Sequence, residues 1–459
     1  MANILESYKN RLAISESVHK NFHGSAMSPA KKTMVAACLN NMSRFMNEAF
    51  DSSAATNRGT LSNYKRFCLN VATTALPTLI LPDLMLTQPM SSISGYVTYM
   101  NYTAGTTKGG VEAGDFFNGA YRIGEMTEDR INYTSSRVVE SVEDFTSGTS
   151  KVHWTPVNVD AGFKLFDVND AEVQGTIAKD GTITSASAVA KVAYVYDNIE
   201  IPQKVEPTSI PTLTGKMDAI ELHAHARRIA IYYSQIAAFQ AKTDYGFDLG
   251  QQLATQAQGE LAFEIDSEGV KMLVEGAEAD TSINFKHYDE NIDNAKYISR
   301  SQYYEGFAEI VNKAKMVIYN RTQKFAPNYM IIGSGVLPIL PYLKGWKAAP
   351  AATVNGPFFA GTLDGLKVYV SPAMKAMEYV FGVNGSDLQT SAAVYAPYMP
   401  IVPTQLLGFS DGTMTQGFST MYDMKLLATY NREGNTIVDA PRGTGKFSYL
   451  LVKGQLTVA

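Results

Sequence analysis

The chain has 459 residues, more than one hydrophobic core ordinarily serves, so two or three structural regions are expected. With 45% hydrophobic and 18% charged residues it has ample apolar surface to fold, and its low charge with frequent Thr, Ser, Tyr and Gly suits a sheet-rich or assembly-forming protein better than a highly soluble monomer. A formal net charge of −5, with no basic block anywhere, argues against a nucleic-acid binder that works by phosphate neutralisation.

The N-terminal MANILESYKNRLAISESVHK lacks the apolar core of a signal peptide, and no later run reaches the roughly 18 to 20 apolar residues needed to cross a membrane. Synthesis and folding in a cytoplasm are expected. Only Cys38 and Cys68 are present, without Cys-x-x-Cys spacing, and both read as reduced core thiols rather than a disulfide.

Residues 1–32 are polar and mixed, end in the turn-like Met27-Ser28-Pro29, and read as a mobile or arm-like segment. Met34, Cys38, Met42, Phe45 and Ala49 then predict a helix, and Tyr64, Phe67, Cys68 and Val71 a second, with DSSAATNRGT as the loop between. In Leu76 to Met90, Pro77, Pro82 and Pro89 punctuate an almost wholly apolar stretch, which predicts an extended segment laid against apolar surface. Gly95 to Tyr102 alternates as a strand and leads into a glycine-rich loop, Gly105 to Gly119, holding Lys108 and Glu112. From about Asn132 to Val205, short β-propensity runs separated by Gly, Asp and Asn, with a hairpin turn at Asp180-Gly181, predict a small all-β insertion.

The stretch Lys216 to about Lys242 organises this reading. Leu222, Ala226, Ile229, Tyr233 and Ile236 follow at steps of four, three, four and three, one stripe of an amphipathic helix. At about 1.5 Å per residue such a helix would be roughly 40 Å long. Asp244-Tyr245-Gly246 stops it, and Asp248 with Gln251 then opens a second helix that runs to about Gly276. Farther on, Tyr304, Phe307, Val311, Ala314 and Ile318 predict another helix, and strands recur at NYMII, LKVYVSP, EYVFGV and SAAVYAPYMP to make a small α/β domain. From about Gln416 to Leu456 alternation with Gly and Asn turns predicts strands of a second sheet.

The motifs that suggest chemistry do not hold up. In Pro441-Arg442-Gly443-Thr444-Gly445-Lys446, a phosphate-binding loop would need Gly at Ala440 and Ser or Thr at Phe447, so a glycine turn between strands is expected. His223 and His225, two apart on the expected helix, would point about 200° from one another and not at one metal. Gly333-Ser334-Gly335 lacks the third dinucleotide-loop glycine, at Pro338, and reads as a turn into a helix. Six scattered His, no Gly-x-Ser-x-Gly, and carboxylates such as Glu125 and Glu128 on a solvated face give no catalytic signature. Asn320-Arg321-Thr322 carries no weight as a glycan site in a cytoplasmic product. No catalytic, cofactor-binding or metal residue is expected, and no cofactor.

Taken together, three stretches resemble the major capsid protein of tailed bacteriophages, in the branch that includes the T-even myoviruses. They are ALPTLILPDLMLTQPMSSISGYVTYMNY, Ala75 to Tyr102; IELHAHARRIAIYYSQIAAFQAKTDYGFDLGQQLATQ; and PFFAGTLDGLKVYVSP with the later VYAPYMPIVP, Val394 to Pro403. They run from about residue 75 to 430 in the family's order. The resemblance implies an α+β Hong Kong 97 phage-type capsid fold: an N-terminal arm over 1–94, an extended loop over 95–215 carrying the β insertion at about 132–205, a peripheral domain with a spine helix over 216–324, an axial α/β domain over 325–405, and return strands over 406–459.

The function so implied is a structural one, not enzymatic. Many copies self-assemble into hexamers and pentamers of an icosahedral virion shell that encloses double-stranded DNA without reading its sequence. Scaffolding protein and portal act during assembly in the host cytoplasm, decoration proteins are possible partners, and no membrane is involved. The β insertion matches no family motif and reads as an outer decoration or an inter-capsomer clamp. Some relatives cross-link loops through a Lys-Asn pair, for which Lys108 or Lys151 could be proposed, but nothing local activates either. The maturation protease of the T-even branch cuts after Glu in an Ile/Leu-x-Glu pattern, matched by Ile4-Leu5-Glu6-Ser7 and Ile14-Ser15-Glu16-Ser17; a chain beginning at Met1 is expected to retain its arm. Two rival readings stand beside this one, an encapsulin-like compartment shell and a cytoplasmic α/β enzyme with a site at Gly333 to Gly335. A carbohydrate-binding surface on the β insertion around Trp154, which otherwise is a core residue, is compatible with the capsid reading.

Overall fold

The computed structural model describes residues 2–51, 68–106, 113–114, 138–144, 151–152, 155, 157–185, 188–197, 211–288, 299–322, 324–349, 356–404, 406–433, 436–439 and 444–457. Helix and sheet are both present. The chain divides into two compact units, Met1–Tyr99 with Ala219–Ala459, and Met100–Asp218.

In the first unit, a five-stranded sheet is centred on Ala393–Pro403 and Thr413–Leu426, which run antiparallel. Proline has no N–H for the ladder, and the register shifts between Pro397 and Met399 and again between Met399 and Val402. Leu86–Thr87 pairs in parallel along Val394 and Tyr395, and the Gln88 and Met90 N–H groups then donate to the Tyr395 and Pro397 carbonyls at 2.9 and 3.0 Å. That edge therefore asks Pro397 only to accept. The opposite edge is His225–Ser234, in register with Tyr422 back to Thr413.

An eight-stranded sheet surrounds Tyr329–Ile332, whose four residues are all buried. A strand covered on both faces is apolar at every position, which is why this run does not alternate. It lies parallel to Leu366–Val370 and antiparallel to Glu378–Gly382, and Leu451–Thr457 pairs beyond Glu378–Gly382. The stripe Tyr304, Phe307, Val311, Ala314 and Ile318 is buried as expected, on two helices, Arg300–Glu305 and Phe307–Thr322, separated by Gly306. The region from 325 to 405 is not one α/β sheet, however: Ala393–Pro403 belongs to the five-stranded sheet. The C-terminal strands do supply other sheets: Thr413–Leu426 joins the five-stranded one, and Thr436–Asp439, Thr429–Glu433 and Phe447–Ser448 make a three-stranded sheet of their own, whereas Leu451–Thr457 returns to the eight-stranded sheet.

The stretch Lys216–Lys242 is not a long helix. It forms Leu213–His223, His225–Ser234 and only then a helix, Gln235–Asp244, whose N-cap Ser234 accepts from the Ala237 N–H at 3.0 Å. Ile220, Leu222 and Ala224 alternate into a core with Val97 and Val394, whereas Ala226 and Ile236 of the supposed stripe are exposed. Ile229, Ile231 and Tyr233 continue the two-residue period, and β-branched and aromatic residues favour the pleated surface. Ser94–Ala104 pairs with Leu213–His223 as a two-stranded ribbon.

Among the described residues the longest helix is the second one expected, Leu249–Gly276. Its cap Asp248 accepts from the Gln251 N–H at 3.1 Å, and Ala254, Ala257 and Leu261 pack with Val71, Ile401 and Phe418. The N-terminal residues form helices, Ala2–Ser7 and Lys9–His23, and Leu12, Ser15, His19 and His23 make a buried stripe at steps of three, four and four. Pro29–Asp51 follows, with Met34, Cys38 and Met42 buried but Phe45 exposed. The apolar Leu76 to Met90 stretch does lie against core, yet as short helical turns, Leu76–Thr78 and Leu81–Leu84, with proline in the first turn of each, where a missing N–H costs nothing. Both cysteines are free and buried, and burial pushes the Cys38 thiol up to about 12.

The second unit holds a four-stranded sheet, Val138–Asp144, Lys191–Asp197, Phe163–Phe166 and Glu172–Val173, around Val157, Leu165, Val192 and Tyr196. Gly175–Ile177 pairs with Ile183–Ser185 across the expected Asp180-Gly181 turn, where Gly181 has φ +83°. Lys108, Glu112, Glu125, Glu128, Trp154 and residues 64–67 lie outside the described residues.

Candidate functional site

Buried charge concentrates where the N-terminal helices meet the long helix. Lys31 is fully buried; its Nζ donates to the Leu79 carbonyl at 2.7 Å and to Asp83 Oδ2 at 3.4 Å. Asp266, on the long helix, accepts from the Ile80 N–H at 3.1 and 3.2 Å and from the Leu81 N–H at 3.3 Å. The turn containing Pro82 is thus held from one side by a lysine and from the other by a carboxylate. Those two N–H groups have no partner within the short turn, so the buried acceptor replaces water for them.

Burial lowers the Lys31 ammonium, opposed by Asp83 and Asp266. It would raise Asp83, but the Lys31 charge above all outweighs it and holds that carboxyl below its ordinary value. Asp266 is pushed up to about 7, chiefly by burial. His19 and His23 stack with ring centroids 4.4 Å apart, and His19 Nδ1 donates to the Pro77 carbonyl at 3.1 Å. Burial and then Lys31 depress both imidazoles, His23 to about 3. Lys31 and Asp266 are spent on backbone groups and on Asp83, whereas His23 Nε2 is buried without a partner.

A second tie fixes the long helix to the edge strand. Arg227 reaches Glu264 at 2.9 Å and Glu268 at 2.7 Å, one turn apart, and also donates to the Tyr422 hydroxyl, which itself donates to Glu268 at 2.5 Å. This is the fork geometry that suits a guanidinium.

At the end of the same strand the surface is apolar. Tyr232 and Leu407 flank Thr415 on one face of the sheet, and Ile236 and Phe239, one helical turn apart, are 73% and 71% exposed. Phe409 and Tyr245 add further exposed rings. Isolated apolar side chains on a surface are ordinary; grouped ones mark contact surfaces.

The motifs weighed for chemistry fall into place as structure. The Gly333 and Gly335 N–H groups donate to the Glu378 and Ala376 carbonyls at 2.9 Å each, so no amide cradle is left for phosphate. Gly445 approaches the Tyr430 backbone within 2.7 Å of where a Cβ would stand, a turn between strands; Pro441 to Gly443 are outside the described residues. His223 and His225 lie on strands rather than a helix, with rings 5.5 Å apart, and among the described residues no group of three or more His, Cys, Asp or Glu could hold a metal. Lys151 is paired with Asp180 at 3.2 Å. No helix among the described residues is long and apolar enough to cross a membrane.

A family model, that of major capsid protein Gp23, matches residues 61–448. The chain belongs to this family. Gp23 proteins are structural components of bacteriophage capsids and not enzymes. No curated protein matches the sequence. Among solved structures, a chain from Mycobacterium phage Bobi is 10% identical with a TM-score of 0.37, covering 83% of this chain and 90% of its own. The capsid of Myoviridae phage XM1 is 9% identical with a TM-score of 0.35, covering 74% and 90%. The virus-like particle from Pyrococcus furiosus is 12% identical with a TM-score of 0.31, covering 52% and 79%.

In this Gp23-family chain the residues that matter are joints and surfaces, and sequence reasoning passed over most of them. Yet a signal was there. Lys31 precedes Met34, Val35 and Cys38, and Asp266 precedes Gly269, Val270 and Leu273, each at steps of three, four and seven. A charge that occupies a position on the apolar stripe of its own helix is a buried charge with a partner elsewhere.

Proposed function

We propose that the chain is the shell-forming subunit of a tailed phage, with a Hong Kong 97 phage-type fold, assembling as hexamers and pentamers into an icosahedral shell around double-stranded DNA. The Gp23 family match over residues 61–448 carries this reading. The grouped exposure of Tyr232, Ile236, Phe239 and Leu407 supports it, since assembly is what removes such surface from water.

In this proposal 1–94 is the arm, 95–215 the extended loop with its β insertion, 216–324 the peripheral domain, 325–405 the axial domain and 406–459 the return strands. The spine is Leu249–Gly276, the second of the two helices expected over 216–276. Scaffolding protein and portal are the assembly partners, and the modest acidic charge keeps the inner wall from adhering to DNA. Trimming after Glu6 or Glu16 is read out by the N-terminal mass in mature particles.

The test is sedimentation velocity and electron microscopy of the chain expressed with its scaffolding partner. Closed shells or capsomer rings are expected. A homogeneous monomer under those conditions would overturn the proposal.

A further inference from the structure

Gly259 is a glycine that its surroundings do not require. The long helix contains Gly250, Gly259, Gly269 and Gly276. A Cβ at Gly250 would lie 2.7 Å from the Tyr233 hydroxyl, at Gly269 2.3 Å from Leu81, and at Gly276 2.6 Å from Leu426; at Gly259 it would meet nothing within 4 Å. An interior helical glycine costs about 0.5–1 kcal/mol relative to alanine, so a position that could hold a side chain is instead left open.

The opening is the wall of a cavity of about 360 Å³ between the helix Lys9–His23, the turn at Thr74–Thr78 and the long helix. Phe22, Phe263 and Phe358 line it with Val18 and Ala262, the mainly apolar lining typical of a small-molecule pocket. His23 also lines it, only 6% exposed, and its Nε2 has no hydrogen-bond partner. The ring is held neutral by burial, so it carries one proton and one acceptor nitrogen. Buried and unpartnered, Nε2 is the nitrogen left for a ligand. Asp266, on the same wall, is already engaged by Ile80 and Leu81.

We infer that this cavity binds a small neutral aromatic molecule carrying one hydrogen-bond donor, of the indole or phenol class, with its ring among Phe22, Phe263 and Phe358 and its N–H or O–H donated to His23 Nε2. An ion would lose most of its hydration there, and a ring is the occupant that the three phenyl side chains favour, beside the polar Thr74, Thr78, Thr255 and Gln258 of the lining. Because opposite walls belong to the N-terminal helix and the long helix, a bound ring fastens one to the other, and ligand raises the stability of the docked state by mass action.

The experiment is calorimetric titration and thermal unfolding of the unassembled full chain with indole, and with benzene as the ring that lacks a donor. Indole is expected to bind one to one and raise the melting temperature, more tightly than benzene. His23→Phe is expected to weaken indole about tenfold, the effect of one buried hydrogen bond, and to leave benzene unchanged. Gly259→Leu fills the space and abolishes both responses while the chain stays folded; Gly259→Ala, milder, weakens them. Absence of any indole response, or a response that persists in Gly259→Leu, would overturn the assignment.

Discussion

Leu81 and Gly269 meet so closely that a methyl group on the glycine would lie 2.3 Å from Leu81 Cδ2. One helical turn away on the same helix, Asp266 takes the Leu81 N–H at 3.3 Å. Backbone and side chain of one residue are thus gripped by two positions three apart on the long helix. Gly269→Ala is expected to destabilise by about 1–3 kcal/mol through overpacking, although alanine is the better helix former. In a Leu81→Ala background the same change should cost less. Urea unfolding of the four proteins reads out both effects.

The histidines and Asp266 respond to pH in opposite senses. An unfolded His titrates near 6.5, whereas folded His23 is held at about 3, so between these values only the unfolded chain takes the proton and stability falls as pH drops. Asp266, raised to about 7, contributes stability that is complete below the unfolded carboxyl value of about 4 and is lost as pH rises through 7. Relative to the parent, His23→Asn should flatten the acid limb by on the order of 3 kcal/mol between pH 6.5 and 4. Asp266→Asn should flatten the limb from pH 4 to 7. Denaturant midpoints across that range check the signs, and parallel curves for parent and variant would count against the buried cluster.

Arg227 bridges Glu264 and Glu268 while about one third exposed, so solvent screens the pair. Arg227→Lys gives up the fork and should cost about 1 kcal/mol. A double-mutant cycle with Glu268→Gln should show a coupling of about 0.5–1 kcal/mol that shrinks in high salt. A coupling unchanged in molar salt would mean that packing on Tyr422, not charge, holds the site.

Ile236 and Phe239 are both more than two thirds exposed on one helical turn. Ile236→Asp and Phe239→Asp should therefore leave stability within about 0.5 kcal/mol of the parent, as surface changes do. Under conditions where the parent assembles they should remain as unassembled subunits. Sedimentation profiles distinguish this from the alternative, normal particles, in which case the patch is not a contact.

Elements with a single reading were legible from the sequence. The stripe from Tyr304 to Ile318 fits only a helix, and the apolar run at Tyr329–Ile332 is too short for anything but a covered strand. The stretch after Lys216 satisfied two periods at once: Leu222, Ala226, Ile229 and Tyr233 at helical steps, Ile220, Leu222 and Ala224 and then Ile229, Ile231 and Tyr233 at every second residue. Spacing could not choose between them; the β-branched and aromatic content points to strand. The Leu76 to Met90 prolines were read as barring helix, when they start its first turn. Lys31, Asp83 and Asp266 come from parts of the chain far apart in sequence, and so does the cavity beside them; only their incongruous positions within apolar stripes announced them.

Leu451–Thr457, the last described strand, is not an edge of its sheet. It pairs with Glu378–Gly382 on one side and with Glu278–Ala279 and Phe285–Lys286 on the other. During synthesis the earlier strands must wait for it, with their unpaired backbone groups and apolar faces uncovered, because domains otherwise close as the chain emerges. A polypeptide cut short by an aborted round of translation therefore cannot finish this sheet. Only a molecule translated through Leu451–Thr457 can join Glu378–Gly382 to Glu278–Ala279 and Phe285–Lys286 in one sheet.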